Sequence, residues 1–268
     1  MWWNKWGRLM AGIILVSACS KKSDQLQPTP QLPQEPVKGK LAKISYDSGA
    51  YDSLYYDASG KLIKYKSVWV PGSGTSLTYF FDYDMLGKPS RVYSDQGEEY
   101  RYSYENGLLS EVGLYFGGIK TRHKGFTYNQ GQLTSTHTYA DILSNPNDQD
   151  FLDMFTYTYY PDGNLKTETS FSVHPVSGWP VKEMTITYSD YDKSYNPEDV
   201  LKQLPYYFGK TFLKNNALTR TAKNEKTGET STYIFSYTYH SSTLPLTRKY
   251  EYYGSGNWQE GSCIYSYY

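Results

Sequence analysis

The chain has 268 residues, a formal net charge of zero and an apolar share of only 38%, and 31 of its residues are tyrosine. Balanced charge with no long single-sign run leaves no electrostatic footprint for nucleic acid and no polybasic membrane patch. The shortage of aliphatic residues does not imply disorder, because each tyrosine brings a large apolar ring face and tyrosine and threonine both favour strands.

The N-terminus reads as a targeting segment. Lys5 and Arg8 form a positive region, and Leu9 to Val16 is an apolar run too short to span a bilayer as a helix. It ends in Val16-Ser-Ala-Cys19, the aliphatic, small, small, cysteine order of a bacterial lipobox. Residues 1–18 are therefore expected to be a lipoprotein signal peptide, and Cys19 the site of lipidation. Ser20 lacks the aspartate that retains enteric lipoproteins at the inner membrane, so a lipid anchor in the outer membrane is expected. Both the periplasmic and the cell-surface face stay open.

Residues 19–39 read as a tether. Pro28, Pro30, Pro33 and Pro36 among polar residues favour an extended, solvated segment. Residues 40–268 suit a single all-β domain. Tyr100, Tyr102 and Tyr104 share one strand face, as do Phe155, Tyr157 and Tyr159, and later Tyr233, Phe235, Tyr237 and Tyr239. Between such runs come Ala58-Ser-Gly60, Asp95-Gln-Gly97, Glu105-Asn-Gly107, Asn129-Gln-Gly131, Pro161-Asp-Gly163 and Lys226-Thr-Gly228. Glycine supplies the positive φ that tight hairpins demand. Hairpins in series predict an up-and-down antiparallel meander of roughly fourteen to sixteen strands. A sheet of that size should curl or close into a barrel, which also removes its edges.

Two segments break the rhythm. Ala140 to Asp153 reads as a polar loop, and Asn196-Pro-Glu-Asp199 opens a short helix near 197–203. Asparagine is a good N-cap, proline suits the first helical position, and the acids sit at the positive end of the dipole.

One phrase recurs: aromatic-x-aromatic, a short gap, then Gly-x-Leu or Gly-x-Pro. Its copies are Phe81-Asp-Tyr83 with Gly87-Lys-Pro89, Tyr102-Ser-Tyr104 with Gly107-Leu-Leu109, Phe126-Thr-Tyr128 with Gly131-Gln-Leu133, and Tyr157-Thr-Tyr159 with Gly163-Asn-Leu165. Tyr55-Tyr56 with Gly60-Lys-Leu62 is a variant. The phrase resembles the YD (RHS-type) repeat, although its turn glycines fall 27, 20, 24 and 32 residues apart. With the lipobox and the tether, the chain looks closer to a group of Gram-negative envelope lipoproteins that includes a domain of unknown function with a porin-like fold. That resemblance implies a β-barrel or strongly curled sheet, and no activity or site residues. A membrane-crossing barrel needs an apolar outer band with aromatic girdles. Here Thr, Ser, Lys and Glu alternate with the tyrosines, so a lipid-tethered domain in water is favoured.

Candidate chemistry is sparse. His123 and His137 are nearly symmetric about the Gly131 turn but lack further metal ligands, and no metal or cofactor is expected. Asn147, Asp148, Asp150 and Asp153 supply hard oxygens for a calcium loop, without the glycine and terminal glutamate of an EF-hand. Asp82 with Asp84, and Asp190 with Asp192, could pair as glycosidase carboxylates or serve as turn formers. Cys263 alternates with Tyr265 and Tyr267 and should lie on a buried strand face. Most tyrosines read as core. Trp69, Trp179 and Trp258 lie near turns, where exposed rings could stack on a glycan or anchor a partner protein. The favoured reading is a non-enzymatic envelope lipoprotein, binding or structural. A polysaccharide-acting hydrolase and an accessory subunit of an outer-membrane complex are the alternatives.

Overall fold

The computed structural model describes residues 39–70, 75–141, 149–173, 179–204, 213–240, 244–254 and 256–268. Cys19 and the expected leader and tether up to residue 38 lie outside them. Sixteen strands follow in chain order: β1 (Leu41–Tyr46), β2 (Tyr51–Tyr56), β3 (Leu62–Val70), β4 (Thr75–Tyr83), β5 (Pro89–Ser94), β6 (Glu98–Glu105), β7 (Leu108–Phe116) and β8 (Ile119–Asn129). The second half comprises β9 (Gln132–Asp141), β10 (Gln149–Tyr159), β11 (Leu165–Val173), β12 (Pro180–Tyr195), β13 (Asn215–Asn224), β14 (Thr230–Tyr239), β15 (Pro245–Gly254) and β16 (Asn257–Tyr267). Each strand pairs antiparallel with the next, and β1 pairs with β16 to close the barrel. The predicted loop from Ala140 to Asp153 is shorter than the sequence suggests, since β9 runs to Asp141 and β10 starts at Gln149.

The period-2 pattern sorts residues to the two faces of the wall. Ile44, Leu54, Tyr65, Tyr79, Phe81, Val92, Tyr100, Val112 and Tyr265 are buried and face inward. They form the main core with Leu201 and Leu204, which the β12–β13 connection carries inside. Leu165, Ile186, Tyr188 and Ala217 form a second, smaller cluster. Burying a ring of tyrosine size contributes about 2–3 kcal/mol, so these rings replace the missing aliphatic bulk.

The alternate positions form a polar outer wall. Glu99 pairs with Arg91 at 2.9 Å and Arg101 at 2.6 Å, and Lys120 reaches Glu111 at 2.8 Å. Threonine hydroxyls pair across strands at Thr158–Thr167 and Thr238–Thr247. Outward tyrosines are covered by cations: Lys43 over Tyr51, Lys64 over Tyr55 and Arg101 over Tyr115. A lipid-facing wall would charge about 2–4 kcal/mol for each Lys or Arg near the bilayer midplane. This wall suits water.

Because the strands alternate in direction, every turn from an even strand to the next odd strand lies at the same rim. That rim collects the phrase turns at Gly60, Gly87, Gly107, Gly131 and Gly163, all with φ between 78° and 86°. Both ends of the barrel also meet there, with Gly39 N–H donating to the Tyr268 carbonyl at 2.8 Å. We call it the terminal rim.

The phrase has a structural meaning at this rim. In three of its four clearest copies the second aromatic donates a hydroxyl to a carbonyl at the start of the strand before it. Tyr83 reaches Leu62 at 2.6 Å, Tyr104 reaches Pro89 at 2.8 Å and Tyr159 reaches Leu133 at 2.8 Å. Each acceptor is the Leu or Pro that closes an earlier Gly-x-Leu/Pro. Tyr56 to Leu41, Tyr191 to Leu165 and Tyr267 to Pro245 repeat the clamp outside the clearest copies. The partners are neighbours in space, so strand length and the turn at the opposite rim absorb the uneven sequence spacing.

The predicted helix near 197–203 is a 3-10 helix, Pro197–Gln203, and the Asn196 side chain accepts the Glu198 N–H at 3.0 Å. Its hydrophobic residue Leu201 is 1% exposed.

Candidate functional site

Three regions could carry function: the lumen beneath the helix, the rest of the inner wall, and the two rims. Beneath the helix, the Glu198 carboxylate accepts hydrogen bonds from Arg248 and from the Tyr265 hydroxyl, both at 2.7 Å. Tyr102 donates to the Gln203 carbonyl at 2.8 Å. The helix is therefore fixed to β15, β16 and β6 by polar bonds and to the core by Leu201. Cys263 lies on this inner face, buried and free, as its alternation with Tyr265 and Tyr267 predicts. Burial pushes its thiol up, and the Arg248 charge opposes that shift without reversing it. A protonated, buried thiol is a poor nucleophile.

Further around the inner wall, charges stand where aromatics would be expected. Burial pulls the Lys124 ammonium down, and the nearby Asp153 and Glu168 carboxylates oppose the shift. One Asp153 carboxylate oxygen and Arg220 Nε are buried with no hydrogen-bond partner among the described residues. Arg220 also lies over the Tyr233 ring, 5.1 Å from its centre. Sequence reasoning missed this group, although a signal existed. Lys124 and Asp153 each sit two residues before an aromatic on the same strand face, namely Phe126 and Phe155.

The calcium reading meets this geometry directly. Asp153 lies within β10 on the inner wall, opposite Thr138 and Ser172, and Asp150 is also in that strand. Asn147 and Asp148 lie outside the described residues. Among the described residues, no group of three or more His, Cys, Asp or Glu side chains could hold a metal ion.

The paired aspartates serve structural roles. Asp82 lies on the outer wall, 3.6 Å from Arg91. Asp84 accepts the N–H groups of Leu86 and Lys88 and closes its hairpin. Asp190 takes the positive φ of 54° and accepts from the Ser189 hydroxyl. Asp192 accepts from the Asn216 N–H and side chain and from Ser194 N–H. Each carboxylate is engaged with a turn, a strand end or a cation, which is the turn-former reading.

His123 and His137 do share an outer face. His123 pairs with Tyr139 in register and His137 with Gly125, and both rings stack on Tyr139, at 5.0 and 6.5 Å. His123 Nδ1 lies 3.1 Å from an Asp141 oxygen. Phe151 completes an aromatic patch, 5.7 Å from Tyr139.

Trp69, Trp179 and Trp258 are 49%, 74% and 55% exposed. They sit near the end of β3, just before β12 and near the start of β16. All three positions belong to the rim opposite the chain ends. Phe116 and Ile119, 61% and 51% exposed, add an apolar pair at the β7–β8 turn of that rim. The tryptophans are spread along it, with three strand steps from β3 to β16 and four from β16 to β12.

Together these features define a class: a closed sixteen-stranded antiparallel barrel with a polar outer wall, a tyrosine-rich interior and a helix fixed inside one end. No protein-family model matches this chain, and no curated protein matches it in sequence. Solved structures do. It is similar to a porin-like protein from Bacteroides uniformis, with TM-score 0.58 and 13% identity over 88% of this chain and 100% of that one. It is similar also to a porin-like protein from Bacteroides vulgatus, with TM-score 0.56 and 13% identity over 85% of this chain and 99% of that one. At such identity the likeness shows the barrel fold.

Proposed function

We propose that this protein is a non-enzymatic lipoprotein of the cell envelope, held in the outer membrane through a lipid on Cys19 and binding a glycan or a partner protein with its exposed aromatics. The observation that carries this reading is the polarity of the barrel. Gly39, the first described residue, lies at the terminal rim, while Trp69, Trp179 and Trp258 stand at the opposite rim. An anchor at one end and exposed indoles at the other suit a module that presents a binding edge away from its attachment point. The water-matched outer wall supports anchoring by lipid and not by the barrel.

Two measurements test the two halves. The Cys19→Ser chain should leave the membrane fraction and lose incorporated palmitate; retention with the barrel folded overturns the anchor. Intrinsic tryptophan fluorescence, titrated with soluble envelope polysaccharides and peptidoglycan fragments, should respond saturably. Any binding found should weaken about thirtyfold or more in a W69A/W179A/W258A variant, since aromatic anchors carry about 2 kcal/mol or more in interfaces. Unchanged affinity in a folded triple variant overturns the tryptophan site.

A further inference from the structure

The terminal rim holds a cavity that no tryptophan touches. It has a volume of about 310 Å³ and lies between the 3-10 helix and the starts and ends of β1, β2 and β16. That volume sits at the small end of the range for ligand pockets. Its walls include the rings of Tyr56, Tyr195 and Tyr267, and Leu41 and Pro197 are buried beside it.

The hydroxyls of those three tyrosines are already committed. Tyr56 donates to the Leu41 carbonyl at 2.9 Å, Tyr267 to the Pro245 carbonyl at 2.8 Å and Tyr195 to Asp199 at 2.7 Å. With their hydroxyls engaged, what these tyrosines offer a ligand is ring surface. The charges are arranged differently. Lys202 is neutralised by Asp199 at 2.7 Å. Lys40 donates to the Gly60 carbonyl and lies over the Tyr56 ring at 5.1 Å, and it meets no carboxylate among the described residues. Among the side chains that line the cavity, two ammonium groups therefore stand against one carboxylate. Gln203 adds an amide at its edge.

Ring faces select a ligand with flat C–H surfaces, the ammonium groups and amide select hydroxyls and a carboxylate, and the volume limits it to one or two pyranose units. We infer that this cavity is a binding site for an acidic sugar, a uronic acid at the end of a polysaccharide or alone, with Lys40 facing its carboxylate and a tyrosine ring under the pyranose. The site goes beyond the tryptophan rim and shares no residue with it, so either can fail alone.

The test is calorimetric titration of the full-length protein, purified in detergent, with glucuronate, galacturonate and their disaccharides, and with glucose and galactose as neutral controls. Binding of an acidic sugar with at least tenfold preference over its neutral counterpart is expected. Lys40→Met should remove that preference, because a charge-assisted hydrogen bond is lost. Tyr195→Ala should weaken binding about tenfold; its ring is 54% exposed, so the fold tolerates the change. The W69A/W179A/W258A variant should bind acidic sugar unchanged. Equal affinity for neutral and acidic sugars, retention of the preference in folded Lys40→Met, or no heat with any probe at millimolar concentration overturns the proposal.

Discussion

If the repeated phrase is a ring of tyrosine clamps, deleting one hydroxyl should cost stability even though the ring stays. Tyr104→Phe is the clean case. Its hydroxyl makes one bond, to the Pro89 carbonyl at 2.8 Å, and the side chain is half-buried. A net hydrogen bond contributes about 0.5–1.5 kcal/mol, and leaving a partly buried carbonyl unpaired adds to that, so a loss of about 1–2 kcal/mol is expected. Tyr128 supplies an internal control. It holds the same position in its own phrase, but its hydroxyl has no hydrogen-bond partner among the described residues. Tyr128→Phe should therefore lie within about 0.5 kcal/mol of the parent. The assay is urea unfolding followed by far-UV circular dichroism, comparing midpoints at constant m-value, because a changed m-value would signal an altered unfolded state. Equal midpoints for the two variants would refute the clamp and leave the second aromatic as packing alone.

Alkaline pH should attack the same ring. Burial pushes the Tyr104 and Tyr159 hydroxyls up to about 12, from the ordinary value near 10. The unfolded chain then ionises first, so their contribution is complete below about pH 10 and lost as pH rises to about 12; flat stability across that window would contradict the burial. Breaking the pair under the helix with Glu198→Gln should cost about 2–3 kcal/mol, because Arg248 is left half-buried without its carboxylate. The double variant Glu198→Gln/Arg248→Met should cost less than the sum of the singles, and additive losses would mean that the two do not interact. Cys263 should resist iodoacetamide in the folded protein and react on unfolding in urea, whereas rapid labelling of the native chain would place the thiol at the surface.

The period-2 alternation and the turn glycines carried most of the fold in the sequence. They are local, and a hairpin with one aromatic face has few ways to form. The helix at Pro197 was equally legible, because capping is a short-range matter of Asn196 and the residues after it. The sites were less so. Asp150 and Asp153 of the calcium set read as loop residues, whereas the structure has them in β10, which begins at Gln149. The paired aspartates read as turn formers with catalysis as the lesser alternative, since spacing alone cannot say which N–H group or guanidinium a carboxylate will meet.

By itself the sequence determined that this chain folds as an antiparallel meander with tyrosine in place of aliphatic core, because alternation and turn chemistry act over a few residues. Only the tertiary structure decided that the meander closes β1 onto β16, gathers the phrase turns and both chain ends at one rim and leaves the tryptophans at the other. It also decided that Lys40, Tyr56, Tyr195 and Tyr267 share one cavity. Those juxtapositions depend on strand number, register and closure, which are properties of the whole sheet and of no single segment.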